Sequence, residues 1–165
     1  MVGSARDPDD PRRIRVGVSE YAVAEGDALL TTSGLGSCLG VALHDADAEV
    51  AGLLHAMLPT AGASDSLPAK YVDAGIARTL GAMEERGAHP RRIAAKLAGG
   101  SEMLDLSVAE SVGARNVETA REVLGDAGVP IRAADVGGGH GRSIQFDATT
   151  GALVIKTAHR GERTV

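Results

Sequence analysis

The stretch CLGVALHDADAEVAGLLHAM, Cys38 to Met57, decides how the rest of the chain is read. Two apolar runs, Cys38 to His44 and Val50 to Met57, flank the short polar segment Asp45-Ala46-Asp47-Ala48-Glu49. This pattern predicts an antiparallel pair joined by a hairpin turn. With the turn centred between Ala46 and Asp47, Cys38 lies directly opposite His55. Opposed residues on one face have Cβ atoms ~4.5–5.5 Å apart, so an imidazole reaches a thiol with small rotamer changes. A slip of one residue sends the two side chains to opposite faces, which makes the inference conditional on the turn.

Working outward, the run Ile14 to Ala24 carries Val16, Val18, Tyr21 and Val23 and predicts a first strand. Leu29 to Thr32 is a second, ended by the loop Ser33-Gly34-Leu35-Gly36-Ser37. Downstream, Pro59 to Pro68 reads as an intradomain loop. Tyr71 to Arg86 keeps helical spacing at Val72, Ile76, Leu80 and Met83. Ile93 to Ala98 is a strand closed by Gly99-Gly100. Asn116 suits the N-cap of a second helix, Val117 to Ala127, which Gly128 and Pro130 stop. Strands at Ile131 to Val136, Ser143 to Phe146 and Leu153 to Lys156 complete the set. The prediction is a single-domain α+β fold dominated by mainly antiparallel strands, with two principal helices. Its limits are a flexible lead over 1–12, a domain over 13–157 and a tail over 158–165.

Composition narrows the function. The 165 residues fit one domain, with 44% hydrophobic residues but only 2% aromatics, so the core is built from aliphatic side chains. Seventeen Lys and Arg against 22 Asp and Glu leave a charge of -5, which argues against a phosphate-neutralising nucleic-acid surface. Met1 to Arg15 holds no apolar segment of the secretory kind, and no stretch approaches the ~18 apolar residues of a membrane span. The expected location is the cytoplasm. A single cysteine excludes an internal disulfide and a multi-thiolate metal site, leaving Cys38 as a lone thiol.

A free thiol is only a few per cent thiolate at neutral pH, and a neighbouring imidazole can take its proton. Cys38 and His55 therefore suit attack on an amide carbonyl, protonation of the leaving ammonia and hydrolysis of the thioester. The loop before Cys38 offers the backbone N–H groups of Gly36, Ser37 and Cys38 to a developing oxyanion. A third group should orient the imidazole. Thr32 is preferred, although spacing alone does not select it over Thr31 or Ser33. Each residue also has a plain reading: a buried cysteine as a small apolar side chain, a histidine amid Leu53, Leu54 and Met57 as hydrogen-bonded core, and Thr32 as a strand threonine. Cys38 and His55 together outweigh those readings.

Other motifs carry less. Gly34-Leu35-Gly36-Ser37-Cys38-Leu39 lacks the last glycine and the helix of a dinucleotide fingerprint, and Gly137 to Arg142 lacks the Lys-Ser/Thr ending of a P-loop. His44, His89, His140 and His159 have no zinc spacing, so the expected metal is none and the expected cofactor none. Arg121 and Arg142 read as solvated surface charges, with pairing to an acidic partner as the alternative for either.

The segments Thr32-Ser33-Gly34-Leu35-Gly36-Ser37-Cys38 and Gly52-Leu53-Leu54-His55-Ala56-Met57-Leu58-Pro59 resemble the signature of the CheD family. Lys70 to Asp73, Lys96 to Gly100, Gly113 to Asn116 and Asp135 to Gly138 with Gly141-Arg142 follow its pattern in order. The resemblance covers roughly Val16 to Lys156. It implies a single-domain α/β sandwich and deamidation of glutamines on methyl-accepting chemotaxis receptors, with methylester hydrolysis as an added capacity. By it Cys38 is the nucleophile, His55 the general base and Thr32 the orienting third member, and a CheC-type phosphatase is a partner. The rival readings are a non-catalytic module that binds CheC or receptor, and, more remotely, a cysteine peptidase.

Overall fold

Ten strands and two α-helices occupy residues 10–62, 67–102 and 111–165, the residues described by a computed structural model of the chain. In order they are β1 (Arg12–Arg15), β2 (Glu20–Glu25), β3 (Ala28–Leu35), β4 (Leu39–Asp45), β5 (Val50–Ala56), α1 (Val72–Glu85), β6 (Ile93–Gly99), α2 (Val112–Asp126), β7 (Ile131–Val136), β8 (Arg142–Asp147), β9 (Leu153–Thr157) and β10 (Gly161–Thr164). They form two sheets, β1-β3-β8-β9-β10 and β2-β5-β4-β6-β7. Of the strand pairs among the described residues, β1–β3 and β6–β7 are parallel and the others antiparallel. The result is the α+β class expected from the pattern of short strands and two periodic helices, in the sandwich form that the family resemblance implied. Among the described residues, no helix is long and apolar enough to cross a membrane.

β4 and β5 lie inside the second sheet and are covered on both sides, which is why their sequences run apolar without alternation. One face carries Leu39, Val41, Leu43 and Leu54 against Val72, Ile76 and Met83 of α1 and Ala120 and Leu124 of α2. The other carries Ala42, Ala51 and Leu53 against Leu30, Ile144, Phe146 and Ile155 of the first sheet. Fully burying an aliphatic side chain of this size stabilises by ~1.5–3 kcal/mol, so these two cores hold the three layers together. The layer between the sheets is also the one into which His55 points.

Several boundaries differ from the sequence reading. The run Ile14 to Ala24 is not one strand: Ser19, at φ 63°, turns the chain so that β1 and β2 enter different sheets. α2 starts five residues early, capped by Ser111, whose Oγ accepts the Ala114 N–H at 3.1 Å. Asn116 is therefore a buried mid-helix residue and not a cap. Residues past Thr157 do not form a free tail; β10 pairs antiparallel with β9. Part of the Pro59 to Pro68 loop, 63–66, lies outside the described residues, as does most of the N-terminal lead.

Arg142 is not a solvated surface charge but takes the alternative, an acidic partner. It is 4% exposed, and its guanidinium donates to Asp135 (3.0 Å), Ser101 Oγ (2.7 Å) and the Gly137 carbonyl (2.9 Å). A charge so enclosed persists only when paired and hydrogen-bonded, as here. Arg121 is exposed, as expected of a surface charge.

Candidate active site

The hairpin turn is centred between Asp47 and Ala48, one residue later than the sequence reading, which moves every cross-strand partner by two. Asp45 pairs with Val50 and Gly40 with His55, leaving Ala46 to Glu49 as the loop. Asp45 is held as the last strand residue because its carboxylate accepts the Asp47 and Ala48 N–H groups at 3.1 and 3.2 Å. Extending that register sets Cys38 opposite Met57, so Cys38 is diagonal to His55 and does not face it directly. The displacement is even, which keeps both residues on the face between the sheets. Diagonal neighbours remain within reach of long side chains. The residue directly opposite His55 is Gly40, and the space that a Cβ there would take is lined by the Ile144 and Leu35 side chains.

His55 is fully buried and Thr32 nearly so. The Thr32 hydroxyl lies 2.7 Å from His55 Nδ1 and 2.7 Å from the Val16 carbonyl. A carbonyl only accepts, so the single hydroxyl proton of Thr32 goes to Val16, and its oxygen accepts from His55 Nδ1–H. That assignment leaves Nε2 of the neutral ring as a bare lone pair. Nε2 is buried and has no hydrogen-bond partner. Thr32 is singled out by the alternation of β3: Ser33 is exposed and Thr31 half-buried, while Thr32 points between the sheets.

Burial pulls the His55 imidazole below its ordinary value, since the charged ring would lose its water. Burial also raises the half-buried Cys38 thiol, and its own backbone N–H draws it partly back down. At rest the thiol and the imidazole on this face are thus both neutral, and the free ring nitrogen can act as a base. No hydrogen bond joins Cys38 to His55 among the described residues, a looseness common in catalytic pairs without substrate.

The loop carrying Cys38 is fixed from outside. The carbonyls of Gly36, Ser37 and Cys38 accept from Ser101 N–H (2.8 Å), Asn116 Nδ2 (2.9 Å) and Gly100 N–H (2.8 Å) respectively. The Gly36 N–H is taken by the Gly34 carbonyl at 3.0 Å, which removes it as an oxyanion donor. Among the described residues the N–H groups of Ser37 and Cys38 have no such backbone acceptor. Asn116 and Ser101 were not picked out as site residues by sequence reasoning, because their partners are remote in the chain. The sequence offers no local signal for them beyond the run Gly99-Gly100-Ser101.

Comparison with known proteins bears on this arrangement. A family model described as CheD chemotactic sensory transduction matches residues 57–157, downstream of Thr32, Cys38 and His55. Individual relatives extend further. The Haloarcula marismortui protein named "Probable chemoreceptor glutamine deamidase CheD" is 46% identical over 157 residues, 94% of this chain and 91% of that one. The Thermotoga maritima protein named "Chemoreceptor glutamine deamidase CheD" is 36% identical over 148 residues, 90% of this chain and 94% of that one. Among solved structures, that of the Neisseria meningitidis protein NMB0706 superposes with a TM-score of 0.52 at 15% identity, covering 78% of this chain and 63% of that chain. That likeness is one of fold.

Proposed function

The chain belongs to the CheD family, and from that premise we propose that it hydrolyses the side-chain amide of glutamines on chemoreceptors to glutamate, in the cytoplasm, through Cys38, His55 and Thr32. The observation that carries the reading is the Thr32–His55 hydrogen bond, which leaves His55 Nε2 unprotonated, buried and without a partner on the face it shares with Cys38.

Cys38 Sγ gives its proton to His55 Nε2 as it attacks the amide carbon, forming the C–S bond. The oxyanion that develops is met by the Cys38 and Ser37 N–H groups. His55 then returns the proton to the departing nitrogen, the C–N bond breaks and ammonia leaves. Water, deprotonated by the same ring, cleaves the thioester to carboxylate and regenerates the thiol. Each event turns a neutral side chain on a receptor helix into an anion, which alters the charge that sets receptor signalling and adaptation. A CheC-type phosphatase as partner belongs to the same reading.

Intact mass of a purified receptor cytoplasmic fragment, before and after incubation with wild type and with Cys38→Ser, tests the proposal. A gain of about one mass unit per site with wild type alone is expected, since amide becomes acid. Equal turnover by Cys38→Ser would exclude the thioester route. No gain with either protein on several receptors would favour a non-catalytic binding module.

A further inference from the structure

Asn116 is 0% exposed and sits on the inner face of α2, yet none of its side-chain bonds serves the helix. Its Nδ2 donates to the Ser37 carbonyl at 2.9 Å and to the Met57 carbonyl at 3.0 Å, while Oδ1 is buried without a partner. Ser37 precedes the proposed nucleophile, and Met57 is the residue the hairpin register sets opposite it. One amide therefore ties together the two strand ends that carry Cys38 and His55.

The bond to Ser37 has a directional consequence. In a trans peptide the C=O of one residue and the N–H of the next point in opposite directions, and no described peptide bond is cis. Pulling the Ser37 carbonyl toward α2 thus turns the Cys38 N–H away from α2. Ser101 N–H does the same for the preceding peptide by holding the Gly36 carbonyl, which turns out the Ser37 N–H. α2 can deliver its amide so close because position 113 is glycine: a Cβ there would collide with the Ser101 carbonyl oxygen.

Resting on the reading of Cys38 as nucleophile, we propose that Asn116 is a positioning residue for acyl transfer: by holding the Ser37 carbonyl it aims the Cys38 N–H at the oxyanion formed on the attacked amide. Removing the amide frees the Ser37–Cys38 peptide to rotate, and the donor is lost although Cys38 and His55 remain.

The test compares two reactions of the same thiol, unambiguous because Cys38 is the chain's one cysteine. p-Nitrophenyl acetate acylates it through a tetrahedral oxyanion: the C–S bond forms and p-nitrophenolate leaves. Iodoacetamide alkylates it by direct displacement of iodide, with no oxyanion. In both, the thiol proton passes to His55 and then to solvent. Asn116→Ala is expected to slow acylation at least tenfold, toward the ~10²–10³-fold seen when an oxyanion donor is deleted outright, while alkylation stays within about threefold of wild type. Equal slowing of both reactions, or unchanged acylation, would overturn the proposal. If Asn116→Ala does not fold, Asn116→Ser, whose shorter hydroxyl cannot span both carbonyls, carries the same expectation with a smaller loss. Neither rate needs a receptor. A wild type that acylates in this Asn116-dependent way but leaves receptor glutamines intact would therefore sink the substrate reading alone.

Discussion

The two ends of the β4–β5 hairpin are made of the same strands and treat buried polar atoms in opposite ways. At the turn, the Asp45 carboxylate is fully buried and saturated: it accepts from the N–H groups of Asp47, Ala48 and His89 and pairs with Arg92 at 3.0 Å. At the far end, His55 Nε2 and Asn116 Oδ1 are buried with nothing bound to them. An unsatisfied buried polar atom costs ~1–3 kcal/mol, so two of them within one small region are a feature to be explained. The closed end serves stability. The open end holds unused hydrogen-bonding capacity beside a thiol, where a reaction can use it.

The largest effect that sharpens this contrast comes from the open end. His55→Gln, which keeps a polar side chain but no base, is expected to reduce deamidation ~10²–10⁴-fold with little change in melting temperature. Because burial lowers the imidazole, the acid limb of the pH–rate profile should lie below 6.5, the ordinary value. A limb centred above 6.5, or a variant that keeps its rate, would show that the orphaned nitrogen is not the base. The same shift has a stability consequence of fixed sign. The unfolded chain takes up the proton first, so stability present above pH 6.5 drains as pH falls through the lower folded value.

The hairpin itself was legible in the sequence, since two apolar runs around a polar pentapeptide admit few other readings. Its register was not. The sequence does not reveal that the Asp45 carboxylate would cap its own turn and remain in the strand, shifting every pair by two. Only the evenness of that shift kept Cys38 and His55 on one face. Ser19 splits β1 from β2 within a run whose one break in apolar character, Gly17-Val18-Ser19, is too short to announce a change of sheet. Asn116 looks locally like a helix cap, and its true partners are carbonyls 79 and 59 residues away in the chain. Arg142 looks like a surface charge until Asp135 and Ser101 are folded around it. Long-range polar partners are what local pattern cannot carry, and both ends of the hairpin are built from them.

Thr32 gives a smaller effect and tests how the open end is kept open. Thr32→Val preserves shape but removes the acceptor of His55 Nδ1–H and the donor to Val16. The tautomer with its proton on Nε2 then becomes competitive, and that form cannot accept from Cys38. We expect a loss of activity on the order of tenfold, milder than His55→Gln, with recovery in Thr32→Ser. A Thr32→Val enzyme as active as wild type would mean that the ring is oriented by its pocket alone.

The smallest effect on catalysis is expected at the closed end, where the effect on stability is clear. Burial alone would raise the Asp45 carboxyl, but the Arg92 guanidinium and the His89 and Ala48 N–H groups outweigh it and hold it at about 2 against an ordinary 3.8. Asp45→Ala leaves those donors unanswered and should cost on the order of 3 kcal/mol, or roughly 6–12 °C in melting temperature for a chain of this size. Rates measured well below the melting temperature should match wild type, because no atom near Cys38 is touched. The sign of the pH dependence follows from the lowered folded value. The contribution of Asp45 is complete above 3.8 and is lost as pH falls toward 2, so the melting-temperature gap between wild type and variant should close over that window. A gap that stays constant there would mean that packing, not the charge network, fixes the turn. A variant that folds but fails to turn over would mean that the two ends are coupled through the strands, and the division between stability and chemistry would fall.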